Sequence, residues 1–418
     1  MIIPSLDILN GEAVQLRQGT DVVLREKDVF TRAAEFSAFG VLGIVDLNGA
    51  FTTGNNDMII KRLCALYECR VGGGIRTVER AKQIVSWGAN RIIIGSAAFS
   101  DNGVAADFLN ALVATVGKER IAVAMDYSNK GILKDGWRKS MPIEPLSFIR
   151  QIEPYASELF VTAVDREGLE QGRDEEFFKK IRSQTEMAIT VAGGFSDADA
   201  IERMTSIGVN VQLGMALYTK SLSLDDAFMA SVRFKNYPVG QLVSVIAVDE
   251  SGQVLMTAYM NREALRRTLA ERQMWYYSRS REQLWKKGVT SGNAQTMLSV
   301  RSDCDGDALL FTVRQKGHAC HASTYSCFGD KRYSIDELYG VIAQRFSEPI
   351  AQSYTSGLTD AMIREKITEE AQELIEAVSY DELVWEAADV LFFTLALCAK
   401  NGVSFTDVLA ELRRRRRS

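Results

Sequence analysis

The first half of the chain repeats itself at an offset near 119 residues, and this repeat constrains the fold more than any other feature. Four blocks recur in order, so that residues 5–8, 44–49, 71–74 and 94–99 match 124–127, 163–168, 191–194 and 213–218. Short β-branched runs alternate there with amphipathic stretches, which is typical of βα units on a parallel sheet. Two halves of four such units each predict a duplicated (β/α)₈ TIM barrel over residues 1–232.

The remaining sequence follows other patterns. A chain of 418 residues is too long for one ordinary core, so a multidomain protein is expected. Residues 238–330 combine short strands, one helix and turn-rich loops, which predicts a small α+β domain. Residues 334–418 predict an all-α domain. The linkers between these modules are short, which favours modules docked against one another.

Composition excludes several classes of function. A net charge of -5 indicates no nucleic-acid partner, and no apolar run approaches the roughly 20 residues that span a bilayer. The amino-terminal segment lacks the pattern of a signal peptide, so we expect a cytoplasmic protein. Three of the six cysteines share the stretch 304–327 with both histidines of the chain. In a reducing compartment such crowding predicts a metal site and not disulfides.

Three carboxylates begin this stretch at every second residue: Asp303, Asp305 and Asp307. In an extended strand they project to one side, which suits an oxygen-seeking ion such as Mg²⁺.

The same stretch contains three thiols: Cys304, Cys320 and Cys327. Three thiolates without a fourth ligand suit a catalytic zinc ion, which keeps one position open for water. His321 could then transfer protons. A structural zinc site, or reduced cysteines in a core, remain the alternatives.

The motifs at 275–281, 284–288, 290–293, 301–308, 319–321 and 326–328 resemble phosphoribosyl-AMP cyclohydrolase. The resemblance implies hydrolytic opening of the adenine six-membered ring by zinc-activated water, in histidine biosynthesis. It also implies a zinc ion held by the three cysteines, one of them from a partner subunit of a homodimer, and Mg²⁺ held by the three aspartates. The substrate-binding residues that it implies are Arg279, Arg281, Lys287, Ser291 and Asn293. Many members carry histidines at Lys286 and Asn293, so the proton-transfer partner stays open.

The helical segment carries two acidic pairs at a spacing of three residues. Glu370 and Glu373 form the first pair, and Glu386 and Asp389 form the second. Two facing pairs make an oxygen cage for Mg²⁺, whereas a solvated acidic face is the alternative. The segment resembles phosphoribosyl-ATP pyrophosphohydrolase, an all-α, MazG-like family. The resemblance implies that these four carboxylates bind magnesium during release of pyrophosphate.

In the barrel, Asp7 and Asp126 end equivalent strands of the two halves, at the face where barrel active sites lie. One could act as a general base and the other as a general acid across the mouth. Backbone N–H groups at strand ends could hold a phosphate in each half, unless these glycines merely close turns. The candidate phosphate-binding residues are Gly74, Arg76, Gly95, Ser96, Gly193, Gly194 and Gly214.

Residues 1–228 resemble the histidine-pathway ribotide isomerase, through motifs at 46–50, 72–76 and 135–137. The resemblance implies an Amadori rearrangement with Asp7 as the base, Asp126 as the acid and Thr162 nearby. Gln15, Ala163 and Met215 depart from charged residues common in that family. We therefore expect three successive steps: pyrophosphohydrolysis, ring opening and isomerisation. A bifunctional enzyme with a non-catalytic barrel as scaffold is the alternative, and a zinc-binding adaptor is the third reading.

Overall fold

The computed structural model describes residues 1–17, 21–100, 103–128, 131–134, 139–141, 144–163 and 175–416. It divides into two compact units, Met1–Asp330 and Lys331–Arg416. The first unit contains the predicted barrel and the small α+β segment, and the second contains the helical segment. Within the described part of the chain, no helix is both long enough and apolar enough to cross a bilayer.

Eight parallel strands close into a ring, which confirms the barrel. Each strand pairs with the next, and β8 pairs with β1. β1 and β5 are four strands apart, so they lie on opposite sides of the ring, as the repeat predicts. The strands are β1 (Ile2–Leu9), β2 (Leu42–Asp46), β3 (Cys69–Gly72), β4 (Arg91–Ile94), β5 (Ile121–Ser128), β6 (Glu158–Ala163), β7 (Ala188–Ala192) and β8 (Asn210–Leu213).

In the described residues, each strand is followed by a helix of at least eight residues whose apolar face packs on the outside of the ring. Several begin at a side-chain cap that satisfies a free backbone N–H group, as Asp28 does for the N–H of Thr31. The helices are α1 (Val29–Ser37), α2 (Asp57–Leu66), α3 (Val78–Ser86), α4 (Ala106–Val116), α5 (Pro145–Ile152), α6 (Glu175–Arg182), α7 (Ala198–Ser206) and α8 (Leu224–Ser231). The resemblance motif at 135–137 lies outside the described residues, as do residues 164–168 of the repeat.

The amino end of the barrel interior is filled by an ion-paired cluster. Glu158 accepts hydrogen bonds from Arg70, Arg91 and Thr190. Glu158 is completely buried, and Arg70 is 4% exposed. Phe160, Ile93 and Ala122 pack beside the cluster, so the interior is a filled core and not a pore.

The middle segment folds around a five-stranded sheet. Its strands are β9 (Lys235–Tyr237), β10 (Gly240–Val248), β11 (Val254–Met260), β14 (Gln295–Ser302) and β15 (Ala308–Gln315), and a separate hairpin is formed by β12 (Trp275–Ser278) and β13 (Gln283–Lys286). Helix α9 (Arg262–Glu271) starts at the capping side chain of Asn261 and packs on this hairpin. This arrangement confirms the predicted α+β segment with one helix.

The middle segment packs against the loops at the amino ends of the barrel strands. The N–H of Val300 donates to the carbonyl of Ala38, just before β2, at 2.7 Å. Arg301 pairs with Glu68, just before β3, and Arg233 donates to the carbonyl of Ser206, before β8. The two modules are therefore docked, as their short linker predicts. The docking face lies opposite the carboxyl ends of the strands, where Asp7 and Asp126 are found.

The second unit is all-helical, as predicted. Its main helices are α10 (Ile335–Ser347), α11 (Asp360–Glu376), α12 (Tyr380–Lys400) and α13 (Phe405–Arg416). Helix α12 begins at a capping box in which Ser379 and Glu382 exchange hydrogen bonds. The buried core of the helical unit is small and centres on Ile342, Ile363 and Phe393.

Candidate active sites

The predicted acid and base lie on opposite strands of the barrel. Asp7 lies near the carboxyl end of β1, and Asp126 lies on β5 in register with Thr162 of β6. Desolvation raises the pKa of Asp7 to about 6, although a hydrogen bond from Ser5 acts in the opposite direction. A carboxyl group with such a pKa is ionised at neutral pH but close enough to titration to exchange protons.

One of the predicted phosphate-binding glycines, Gly74, has a packing role, as does its neighbour Gly73. A Cβ atom at Gly74 would lie 2.5 Å from the backbone of Gly49, and φ is +72° there. Gly73 approaches the backbone of Asp46 even more closely. The strand-end turn after β3 therefore requires glycine in order to pack on the turn after β2. This observation supports the turn-closing interpretation for Gly74.

Gly95 and Gly214 behave differently. A Cβ atom at Gly95 would meet no atom within 4 Å, so packing does not require glycine there. Ser96 begins a short 3₁₀ turn directly after it and is exposed. At Gly214 a Cβ atom would lie 2.9 Å from Oε1 of the buried Gln15. Gly193 and Gly194 both have positive φ at the end of β7.

Arg76 acts within the protein. Its guanidinium donates to the carbonyls of Gly49 at 2.9 Å and Ala50 at 2.7 Å. It thus ties the turn after β3 to the turn after β2. Sequence reasoning placed Arg76 among the phosphate ligands, whereas its observed hydrogen bonds are to these carbonyls.

A buried amide network at the mouth was missed by sequence reasoning. Asn56 donates through Nδ2 to Asp46 at 2.7 Å and to the carbonyl of Ile8 at 3.1 Å. It also contacts Asn48, which bonds to Asn10. The network fixes the loops after β1 and β2 next to Asp7. The motif at 46–50 contains part of it, but Asn56 carries no recognisable signal.

The aspartate trio of the middle segment converges, but not in a strand. Residues 303–307 form the turn between β14 and β15, so the expected extended strand is wrong. One oxygen of each of Asp303, Asp305 and Asp307 nevertheless lies within 4.8 Å of the others. Asp303 accepts three backbone N–H groups, from residues 306–308, which curls the turn and gathers the carboxylates.

The charges of this turn are unequal. Lys235 pairs with Asp307 and lowers the pKa of that carboxyl. Desolvation, together with the charges of Asp303 and Asp307, raises the pKa of Asp305. Mutual repulsion of this kind is relieved when a cation binds between the carboxylates.

Two of the three thiols lie together. Cys320 and Cys327 interact directly, within a loop that the N–H of Cys327 ties to the carbonyl of Leu255 at 2.8 Å. The N–H of Ala322 donates to the Cys320 sulfur at 3.4 Å and lowers its pKa, whereas burial raises the pKa of Cys327. Cys304 is exposed in the aspartate turn. Among the described residues of one chain, the three sulfurs form no group close enough to share an ion.

Of the predicted substrate-binding residues, Lys287 lies nearest to the thiol pair. The Lys287 ammonium donates to the carbonyl of Ala319. Burial lowers the pKa of Lys287, and the nearby Cys327 and Cys320 thiols oppose this shift only in part. His321 is exposed, with Nδ1 4.0 Å from the Cys320 sulfur.

The other predicted binding residues flank the β12–β13 hairpin. The guanidinium of Arg279 lies 3.9 Å from the centre of the Tyr259 ring. Arg281 donates to Ser278, and Ser291 accepts from the N–H of Asn293.

Three of the four predicted carboxylates of the helical unit converge. Glu370 and Glu373 on α11 face Glu386 on α12, with one oxygen from each within 4.8 Å of the others. Glu370 is only 7% exposed, which argues against a solvated acidic face. Asp389 lies outside this group, but its charge helps to raise the pKa of Glu386. Lys366 contacts Glu370 at 3.2 Å.

The Glu386 carboxylate is the observation that best fits a cation. Its Oε2 atom is buried and has no hydrogen-bond partner. Desolvation, followed by the charges of Glu373 and Glu370, raises its pKa. A divalent cation coordinated by these oxygens would satisfy the buried atom and neutralise the repulsion, so the donor set fits Mg²⁺.

Comparison with known proteins agrees with this three-part organisation. The family model described as "Histidine biosynthesis protein" matches residues 1–223. The model for phosphoribosyl-AMP cyclohydrolase matches residues 256–329, and that for phosphoribosyl-ATP pyrophosphohydrolase matches residues 335–416.

Individual relatives match part of the chain. It is 43% identical over 192 residues to the histidine biosynthesis bifunctional protein HisIE of Pyrococcus furiosus, covering 42% of this chain and 92% of the relative. The corresponding protein of Bacillus subtilis is 40% identical, with 42% and 91% covered. A histidine biosynthesis trifunctional protein of Kluyveromyces lactis is 42% identical over 171 residues, which are 40% of this chain and 22% of the relative. The chain thus belongs to the histidine biosynthesis protein family and joins a family barrel to phosphoribosyl-AMP cyclohydrolase and phosphoribosyl-ATP pyrophosphohydrolase domains.

Proposed function

We propose that the chain carries out three successive steps of histidine biosynthesis. The helical unit hydrolyses phosphoribosyl-ATP to phosphoribosyl-AMP and pyrophosphate. The middle segment opens the adenine ring of phosphoribosyl-AMP, and the barrel isomerises the resulting aminoaldose ribotide to an aminoketose. The first two activities follow from the matched domains. The proposed barrel activity rests on the two aspartates at the barrel mouth.

The placement of Asp7 carries the argument for the barrel. An Amadori rearrangement needs an acid that protonates the sugar ring oxygen as its bond to the anomeric carbon C1′ breaks. It also needs a base that removes the proton from C2′, next to C1′, to give the enol-amine that becomes the aminoketose. Asp126 and Asp7 lie on opposite sides of the ring of barrel strands, so a substrate that spans the barrel mouth can contact both carboxylates. Since desolvation raises the pKa of Asp7 to about 6, its carboxylate is a stronger base than an ordinary aspartate and is ionised at neutral pH.

The scaffold alternative rests on Gln15. This residue is 3% exposed and its Nε2 atom is buried without a partner, where the isomerase resemblance leads us to expect an arginine. A neutral side chain there weakens the attraction for an anionic substrate.

Isomerisation by the full-length chain decides between the two. We expect turnover of the aminoaldose ribotide by the parent chain and at least about a hundredfold loss in Asp7→Asn and in Asp126→Asn, typical of losing a general base or acid. Ring opening by the same variants is the internal control and should be unchanged. A parent chain that opens the ring but never isomerises the product would leave the barrel as a scaffold.

For the middle segment, we propose a zinc site shared between two copies. Cys320 and Cys327 supply two thiols from one chain, and Cys304 of a second copy completes the set, since it does not reach the pair within its own chain. Zinc bound there would lower the pKa of a coordinated water. Lys287, beside the thiols, is placed to hold an anionic part of the nucleotide.

An exposed apolar pair supports the homodimer. Ile246 and Leu310 lie side by side on β10 and β15, and each is more than a third exposed. Apolar side chains that share one sheet face in this way are suited to burial against a second copy.

For the helical unit, we propose that Glu370, Glu373 and Glu386 bind Mg²⁺, with Asp389 beside them. Magnesium would neutralise the triphosphate of the substrate. Lys366 is held at this cluster by Glu369 and Glu370 and adds a cation at its edge.

A further inference from the structure

Two consecutive hydrogen bonds, the first buried and the second partly buried, lead from the barrel interior to Asp7. Nε2 of Gln212, on β8, donates to Oγ of Ser5 at 3.2 Å. Oγ of Ser5, on β1, donates to Oδ1 of Asp7 at 3.0 Å. Ser5 is 3% exposed and Gln212 is 7% exposed, so the two donors are shielded from water, whereas the Asp7 carboxylate is partly exposed.

The direction of these hydrogen bonds follows from the chemistry of the hydroxyl group. A serine has one proton to donate, and an ionised carboxylate can only accept. Ser5 therefore gives its proton to Asp7, and the amide beside it must present an N–H group. Gln212 does so, while its Oε1 is buried without a partner against β2. A Cβ atom at Gly43 would lie 2.8 Å from that oxygen, so glycine leaves the space that the amide occupies.

Of the charged groups that the structure describes on the elements around β1, several have partners other than Asp7. Asp46 on β2 accepts from Asn56, and Glu12 pairs with Arg25 within the two antiparallel strands that follow β1, Glu12–Arg17 and Asp21–Glu26. Arg32 on α1 pairs with Glu26 and Glu35. Tyr218 is a titratable neighbour of these hydrogen bonds: its hydroxyl donates to the carbonyl of Ser5 at 3.4 Å. Burial, followed by the charge of Asp7, raises the pKa of Tyr218.

We propose that Ser5 and Gln212 are positioning residues for the barrel reaction, which hold the Asp7 carboxylate in one orientation and in its ionised form. The inference rests on the proposed isomerase function of the barrel. Ser5 acts through its hydrogen bond to the Asp7 carboxylate. Gln212 acts one step further back, by directing the hydroxyl proton of Ser5 towards the carboxylate.

The test is the pH dependence of isomerisation in the full-length chain. Without the Ser5 hydroxyl, the ionised form of Asp7 loses a charge-assisted hydrogen bond. Ser5→Ala should therefore raise the pKa of Asp7 and shift the ascending limb of the kcat/KM profile to higher pH by about one unit. Its kcat at neutral pH should fall about tenfold, about twofold from the smaller ionised fraction of Asp7 and the rest from its lost orientation. KM should change little, because the substrate contacts stay. Gln212→Leu should shift the limb in the same direction by a smaller amount.

Thr205→Ala is the matched control. Thr205 is a buried barrel hydroxyl that donates to the carbonyl of Ile201 on its own helix and has no bond to Asp7. It should leave the pH profile in place, although it too removes a buried hydrogen bond. An unchanged limb and kcat in folded Ser5→Ala protein would overturn the proposal.

A readout independent of turnover separates this inference from the proposed function. The side-chain carboxyl of Asp7 can be titrated by ¹³C NMR and assigned from its loss in Asp7→Asn. If the parent chain shows no isomerase activity, the proposed function fails, yet the midpoint of Asp7 should still rise in Ser5→Ala. An identical midpoint in parent and Ser5→Ala would refute the hydrogen-bond chain itself.

Discussion

We predict that the Asp7 carboxylate, which the proposed reaction needs in its ionised form, lowers the stability of the barrel at neutral pH. Desolvation raises its pKa from 3.8 to about 6. A carboxyl group whose pKa is raised by folding supports the native state fully below its unfolded pKa, and that support is lost as the pH rises through the folded pKa. At neutral pH the parent chain therefore carries the cost of a poorly solvated charge, which Asp7→Asn removes.

The magnitude follows from the two pKa values. They differ by about 2.2 units, which corresponds to about 3 kcal/mol at pH 7.5 and falls to about 0.5 kcal/mol at pH 4. The side chain keeps some contact with solvent at the mouth, so about 3 kcal/mol is the upper limit of the gain. Asparagine can still accept the hydrogen bond from Ser5, so little is lost in exchange.

The assay is urea unfolding of the full-length chain at pH 7.5 and pH 4, with hydrogen exchange of peptides from β1 and β5 reporting on the barrel. We expect Asp7→Asn to be more stable than the parent at pH 7.5, with the difference nearly absent at pH 4. Asp197→Asn is the control, because either residue can cap α7 and Asp197 is exposed. A variant that is less stable at pH 7.5, or a gain that does not depend on pH, would show that the buried charge of Asp7 does not destabilise the barrel.

Four further predictions concern the other sites and the docking of the modules. Glu386→Gln should abolish magnesium-dependent pyrophosphate release while leaving ring opening intact, whereas Glu365→Gln, at an exposed position on α11, should release pyrophosphate normally. Cys304→Ser and Cys320→Ser should each lose ring opening, and co-expressing the two variants should restore part of it; no recovery would contradict a zinc site shared between subunits. Glu158→Gln should cost the barrel about 3–5 kcal/mol in urea unfolding, because it leaves the buried Arg70 charge unpaired; a loss below about 1 kcal/mol would show that the cluster is unimportant. Finally, the middle segment packs on the barrel face opposite Asp7, so the ring-opened product should pass through solvent before it reaches the barrel mouth. Added unlabelled ring-opened product should therefore dilute the label in the isomerised product. Full retention of the label would indicate a direct path between the two sites.

Much of the candidate site could be predicted from local pattern. Asp7 and Asp126 could be placed opposite one another because a repeat of four βα units puts equivalent strands four apart in a ring of eight. The pair Glu370 and Glu373 could be read from helical spacing, since residues three apart share a face. Both inferences depend only on backbone periodicity, which neighbouring residues determine.

Local pattern was insufficient where the backbone departs from a regular element. Asp303, Asp305 and Asp307 were expected on one side of a strand, but three N–H groups bind the Asp303 carboxylate and turn the chain into a loop. The carboxylates still meet, for a different reason. Gly74 shows the same limit, because its need for glycine comes from the approach of another loop and not from a ligand.

The duplicated sequence by itself determined the barrel, the order of its strands and the identity of the two aspartates at its mouth, because hydrophobic period and repeat length are properties of the chain alone. Only the tertiary structure decided which side chains serve them. Ser5 and Gln212 are 207 residues apart and meet because β8 closes the ring against β1. Glu386 joins Glu370 and Glu373 because two helices pack, and Cys304 stays apart from Cys320 and Cys327 because its turn lies elsewhere on the sheet. Such contacts depend on how distant elements pack, and no local spacing in the sequence encodes that packing.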